Sequence, residues 1–187
     1  YREQMRELTI TLENENTKAA SYLREAKSVL EQNLETFRKF SRRFYPDKPG
    51  GIVIENNEKD NQIRFDIQAH IQDDASDGIN EVKIFCFDMT VLTARHNHLI
   101  SFLVHDSPIF SDIDPRERGT LFRIAAEVTQ AVGCQYIATV NEDQLEGVRD
   151  QFSAEEFKSL LTQRVRLELT DDAPESKLLG IQVDMRY

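Results

Sequence analysis

Leu99-Ile100-Ser101-Phe102-Leu103-Val104-His105-Asp106-Ser107-Pro108 decides how the second half of this chain folds. A short apolar run between a polar turn and a proline reads as a strand covered on both faces, the habit of parallel sheets. Residues 115–132 then read as a helix, with Pro115 where a first turn tolerates proline and Gly133 to stop it. Residues 135–140 read as the next strand. Strand, helix and strand in succession predict a parallel α/β sheet. Ligands of such sheets collect beyond the carboxyl ends of the strands, which makes Asp106 a candidate site residue. Mg2+ bound to nucleotide phosphates needs only one or two protein carboxylates. The plainer reading is that Asp106 caps the turn that Pro108 stiffens.

Upstream, residues 79–93 read as a buried helix, because Val82, Ile84, Phe85, Phe87, Met89, Val91 and Leu92 cover much of its circumference. Ser76 suits its N-cap, and Glu81 lies where negative charge complements the helix dipole. A helix N-terminus is also a ready phosphate site. In Ser76-Asp77-Gly78 the hydroxyl adds a donor and the glycine allows close backbone approach; the alternative is an ordinary cap. Further upstream, Ile52-Val53-Ile54 and the alternation of Ile63, Phe65, Ile67 and Ala69 with polar residues predict an antiparallel hairpin, its turn at residues 56–61.

Residues 1–45 hold no Gly or Pro, and Tyr45-Pro46-Asp47-Lys48-Pro49-Gly50-Gly51 ends them abruptly. Met5, Leu12, Ala19 and Ala26 recur every seven residues, and a second register runs through Leu23, Leu30, Phe37 and Phe44. This spacing is the seam of a coiled coil with a stutter between registers; Phe37, Phe40 and Phe44 suit packing on the chain's own domain better. Downstream, Ser153 and Glu156 form a capping box for a helix over residues 152–163. Residues 165–169 and 179–185 read as two last strands.

Lys and Arg number 23 against 33 Asp and Glu, a net charge of −10. Nucleic-acid binding across the whole surface is excluded by that balance, since phosphate neutralisation needs clustered cations. DNA contact would fall to a local patch, such as Arg38, Lys39, Arg42 and Arg43, or to parts outside this segment. No apolar run approaches the about 20 residues of a membrane-spanning helix. Cys86 and Cys134 sit in apolar runs without metal-type spacing, as in proteins of a reducing, cytoplasmic compartment. The opening at Tyr1 suggests a piece of a longer chain.

The order of these features resembles the C-terminal lobe of ABC-type ATPases, and within them the SMC-like subset, whose lobe a coiled coil enters from the N-terminal side. Ser76-Asp77-Gly78 sits where that class carries its signature loop, Asp106 matches the Walker B aspartate, Asp112 and Asp114 the D-loop, and Asn141 the switch position. Asp77-Gly78-Ile79-Asn80-Glu81-Val82-Lys83-Ile84-Phe85-Cys86-Phe87-Asp88 and Phe102-Leu103-Val104-His105-Asp106-Ser107-Pro108-Ile109-Phe110 are similar to the C-terminal domain of unknown function on SMC-like ATPases of bacterial ABC-three-component systems, thought to act in defence. The resemblance runs from about Phe37 to Tyr187. It implies an α/β fold, a mixed and mainly parallel sheet with flanking helices, preceded by a coiled-coil root helix (residues 1–45) and the hairpin. Residues 46–187 would form the lobe.

It also implies ATP and Mg2+ as cofactors, held by Asp106 and, across a head–head homodimer, by Ser76, Asp77, Gly78 and Asp114. Small accessory subunits are implied as well. No Gly-x-x-x-x-Gly-Lys-Ser/Thr occurs, so the phosphate-cradling loop would come from an N-terminal lobe of the same full-length chain. Three departures from the class bear on hydrolysis. Ser107 replaces the Glu that follows the Walker B Asp, and serine is no carboxylate base; His105, Asp112 or Asp114 would have to serve. Asn141 replaces His, and Asp77 replaces Gly. Two other functions compete: a non-catalytic coiled-coil adaptor that docks a partner, and a metal-dependent nuclease using His96, His98, His105 and Asp106.

Overall fold

Residues 1–45 form two successive helices in the computed structural model, which describes residues 1–57, 63–170 and 172–181. Helix α1 spans Arg2–Glu25 and α2 spans Lys27–Phe44, with Ala26 between them in a tight right-handed turn. Ala26 ends the first seven-residue register and lies inside the second, so the interruption falls where the two overlap. Of the first register only Ala19 is buried, and Met5 is exposed, as are the nearby Leu8, Ile10 and Tyr22 of the same helix. Near its end α1 leans on the hairpin, where Asn56 Nδ2 donates to the Asn16 carbonyl and Tyr22 meets Phe65. Phe37, Phe40 and Phe44 of the second helix are buried instead, as their spacing predicts for packing on the chain's own domain.

The chain divides into two compact units, Tyr1–Val148 and Arg149–Tyr187. In the first, strands β1 (Gly50–Asn56) and β2 (Phe65–Ile71) pair antiparallel, Gly50 opposite Ile71 and Asn56 opposite Phe65. The hairpin was legible in the alternation; most of its expected turn lies outside the described residues. Helix α3 (Asp77–Ala94) is the hub of this unit and touches α2, β2 and the elements that follow. Val82, Phe85, Cys86, Met89 and Leu92 are fully buried on it. Phe85 stands edge-on to Phe44, 6.0 Å between ring centres, so the root helix and the hub share one aromatic core.

Strand β3 (Phe102–His105), the four-residue helix α4 (Pro108–Ser111), helix α5 (Pro115–Val132) and strand β4 (Gln135–Ala138) follow. Helix α5 matches its expected bounds: Asp114 and Glu117 make a reciprocal capping box at its start, and Gly133, at φ 63°, takes the left-handed turn at its end. Strands β3 and β4 pair in parallel, His105 beside Ala138. Helix α6 (Glu142–Glu146), which was not among the expected elements, closes the unit.

The sheet departs from expectation in two ways. The expected single mixed sheet is two separate two-stranded sheets among the described residues, the hairpin in one and the parallel pair in the other. The strand expected to be covered on both faces is covered on one: Leu103 and His105 turn inward, whereas Phe102 and Val104 are about half exposed. Among the described residues this two-stranded sheet has helices on one face and no third strand beside it.

In the second unit, α7 (Ala154–Leu160) is capped by Ser153, whose hydroxyl accepts from the Glu156 amide at 3.2 Å. Phe157 is buried there with the Arg149 guanidinium over its ring. The strand expected over residues 165–169 is irregular, with Val165, Leu167 and Leu169 exposed. A strand needs a neighbour to accept its ladder bonds, and none lies beside it among the described residues. Residues 179–181 are not a strand either, and residues 182–185 lie outside the described set. No helix among the described residues is long and apolar enough to cross a membrane.

Candidate functional site

Asp106 and Thr139 stand one residue beyond the carboxyl ends of β3 and β4, side by side through the parallel register. The Thr139 amide donates to the His105 carbonyl at 3.1 Å, and its hydroxyl donates to Asp106 Oδ1. The Ser107 amide donates to the same oxygen at 2.8 Å. These donors, the Thr139 hydroxyl foremost, hold the Asp106 carboxyl below its ordinary value. Asp106 is exposed, and its Oδ2 has no hydrogen-bond partner among the described residues. An ionised carboxylate with one oxygen fixed and the other facing water is a hard-oxygen donor that suits Mg2+ directly or through water.

His105 faces the other way. Its Nε2 lies 2.9 Å from Asp88 Oδ2 and its Nδ1 3.0 Å from the Tyr136 hydroxyl. A carboxylate only accepts, so Nε2 carries the proton toward Asp88, and Nδ1 accepts from Tyr136. Burial, then the Asp88 charge, raises the Tyr136 phenol and keeps it a donor. Both ring nitrogens are engaged beneath the sheet, so His105, expected as a stand-in base beside Asp106, is a tie between α3, β3 and β4. No chemistry-bearing spacing links Asp88 or Tyr136 to His105, which is why sequence reading missed this cluster.

At the start of α3, Ser76 is the N-cap by backbone conformation, but its side chain makes no capping bond, contrary to expectation. Ser76 and Asp77 are exposed. A Cβ on Gly78 would come within 2.5 Å of the Asp112 carbonyl oxygen. The close approach that this glycine permits is thus to the acidic turn of the same chain. Burial first, then the charges of Asp112 and Asp77, raise the carboxyl of Glu81 one turn further on.

That acidic turn is held from below. Asp112 ends α4, and Asp114 Oδ1 accepts from the Glu117 amide at 2.8 Å as the cap of α5. Arg118, buried, donates from Nε and Nη2 to the Phe110 carbonyl at 3.0 and 2.7 Å, from Nη2 to Ile113 at 3.0 Å, and from Nη1 to Gln144 at 3.2 Å. Asn141 is the N-cap of α6; its amide donates to Gln144 Oε1 at 3.3 Å, and Gln144 Nε2 donates to Ser111 Oγ at 3.1 Å. The turn after β3 and the loop after β4 are thereby one bonded assembly. Ser107 stands between it and Asp106 as the N-cap of α4. The spacing Asn141-x-x-Gln144 was a readable capping signal; Arg118 had none beyond a cation on an apolar helix face.

The histidine-rich turn is not drawn into this assembly. His98 Nδ1 accepts from the Ile100 amide at 3.2 Å, so its Nε2 donates to the Val91 carbonyl at 3.1 Å, closing the corner between α3 and β3. No group of three or more His, Cys, Asp or Glu able to hold a metal ion occurs among the described residues. Of the basic patch, Arg43 pairs with Glu127 and Arg38 with Glu35 and the Gly50 carbonyl. Cys86 is fully buried, and burial raises its thiol.

Among solved proteins, the chain is similar to one described as the SmcHead bound to the C-winged helix domain of ScpA, at 14% identity and a TM-score of 0.47. The match covers 63% of this chain and 37% of that one, so this chain spans little more than a third of the solved chain. No curated protein matches. A family model matches residues 40–183, most of the chain, and on that ground the chain belongs to the family described as "Uncharacterised protein conserved in bacteria (DUF2326)".

Proposed function

We propose that this chain is the C-terminal half of an SMC-like ABC-type ATPase head that binds Mg-ATP at a head–head interface. One observation carries the reading. The ionised, solvent-facing carboxylate of Asp106 closes a parallel strand, and the turn that follows it packs on the glycine loop opening α3. Strand-end carboxylate, acidic turn and helix-opening loop are the parts a nucleotide interface needs together, and here they form one connected assembly.

In this reading Asp106 holds Mg2+, and the ion supplies charge neutralisation at the phosphates. Ser76 keeps a hydroxyl unspent on capping, available to nucleotide held by a second head. Asp112 and Ser107 face the interface, while the Asp114 carboxylate is engaged at its own helix start. With both ring nitrogens of His105 engaged, a serine at 107 and the Asp114 carboxylate spent on its helix cap, Asp112 is the candidate base left of those named, which favours slow turnover with nucleotide binding itself as the switch. ATP draws two heads together to the extent that it binds the closed pair better than the open one. The exposed Phe102, Val104 and Ile137 on the outer face of β3 and β4 support a neighbouring lobe, with the phosphate-cradling loop, packing over that face.

The test uses the full-length protein. ATP binding is titrated against Mg2+ for the wild type and Asp106→Asn. Loss of Mg2+ dependence supports the assignment; unchanged dependence rejects it. Absence of ATP binding by the full-length wild type favours the non-catalytic adaptor, a reading encouraged by the Asp114 carboxylate serving as a helix cap.

A further inference from the structure

We infer that Thr139 is a positioning residue for the Asp106 carboxylate, setting the angle at which its free oxygen meets a divalent cation. The inference rests on the Mg-ATP reading above and adds a residue that no motif marks. Thr139 is attached at two points: its amide to the His105 carbonyl and its hydroxyl to Asp106 Oδ1. The first is a rung of the parallel ladder continued past the strand ends, so the hydroxyl is delivered to the carboxylate by the sheet register itself. With the Ser107 amide on the same oxygen, Oδ1 is held from two directions. Rotation of the carboxylate breaks both bonds.

Oδ2 is thereby aimed at solvent in a fixed orientation. Mg2+ demands near-ideal octahedral geometry, so a carboxylate free to rotate binds it less well than one already aimed. Thr139 need not touch the ion or the phosphates to matter; it acts through Asp106, as outer partners of metal ligands do. A purely local role, stiffening the ends of β3 and β4, would alter stability and leave cation affinity alone.

The experiment titrates ATP binding by the full-length protein against Mg2+, without turnover, for wild type, Asp106→Asn, Thr139→Val, Thr139→Ala and Thr139→Ser. Melting curves without nucleotide confirm that each variant is folded. Thr139→Val and Thr139→Ala are expected to raise the half-saturating Mg2+ concentration about 10-fold, the size typical of losing an outer partner of a ligand. Thr139→Ser, which keeps the hydroxyl, returns it to the wild-type range. If Asp106→Asn shifts the Mg2+ dependence and the valine and alanine variants do not, Thr139 has no positioning role and the Asp106 assignment stands. Equal shifts for serine and valine also overturn the inference, because the hydroxyl is then not the agent. If Asp106→Asn itself changes nothing, the Mg-ATP reading fails and takes this one with it.

Discussion

The carbonyl oxygen of Asp112 occupies the space that a side chain on Gly78 would need. A Cβ built there would lie 2.5 Å from it, closer than such atoms approach. Through this contact the loop opening α3 and the turn following α4 are pressed together, backbone against backbone. Two segments that sequence reading assigned to separate tasks are one structural feature.

Gly78→Ala is therefore expected to destabilise the protein. At an unobstructed helix position the same change stabilises by roughly 0.5–1 kcal/mol, because alanine loses less backbone freedom on folding. Here the methyl group must displace backbone, at a cost typical of overpacking, about 1–3 kcal/mol. Urea unfolding of wild type and variant gives the sign directly; a stabilised Gly78→Ala would show that the loop and the turn are not in contact.

Arg118→Met keeps most of the side-chain volume and removes every bond to the Phe110, Ile113 and Gln144 carbonyls. Buried carbonyls left unpaired cost on the order of 1–3 kcal/mol each where water cannot replace the donor. A loss of about 3 kcal/mol in urea unfolding is expected, with faster amide hydrogen exchange concentrated in residues 110–114 and 141–145. Uniform acceleration across the chain would mean that Arg118 does not specifically hold these two loops.

Glu81 predicts a pH dependence. Burial, then the charges of Asp112 and Asp77, raise its folded-state pKa above the unfolded value. An acid raised in this way disfavours the folded state once it is ionised. The penalty is absent below the ordinary glutamate value of about 4.3 and complete above the raised folded value. Glu81→Gln should accordingly raise the melting temperature at neutral pH, with the gain fading as the pH falls toward 4.3. A gain that persists at low pH would point to better packing of the amide rather than to relief of charge.

The longer helices were legible because their signals are local. Pro115 and Gly133 bracket α5 whatever surrounds it, Ser153 caps α7, and the alternation from Ile63 to Ala69 marks β2. The parallel pair was legible for a related reason, since a helix between two short apolar runs leaves few other arrangements. Residues 165–169 carry the same alternation as β2 and form no strand. Strand bonds are made to a neighbour, and the identity of that neighbour is not written into the strand.

Sequence alone determined that a carboxylate would close the first parallel strand, that a serine–glycine loop would open a buried helix, and that the chain would enter through a long helix. These depend on residues a few positions apart. Tertiary structure decided which groups meet: Thr139 on Asp106, Asp88 and Tyr136 on His105, Arg118 on the carbonyls of two loops, Asp112 on Gly78. The pairs at Asp106, His105 and Gly78 join residues 17 to 34 positions apart, Arg118 reaches across 5 to 26 positions, and only the tertiary fold brings these groups together. The side of the sheet to which His105 turns follows from the same packing. An aromatic core on one face draws the ring inward and leaves its neighbour, Asp106, in water.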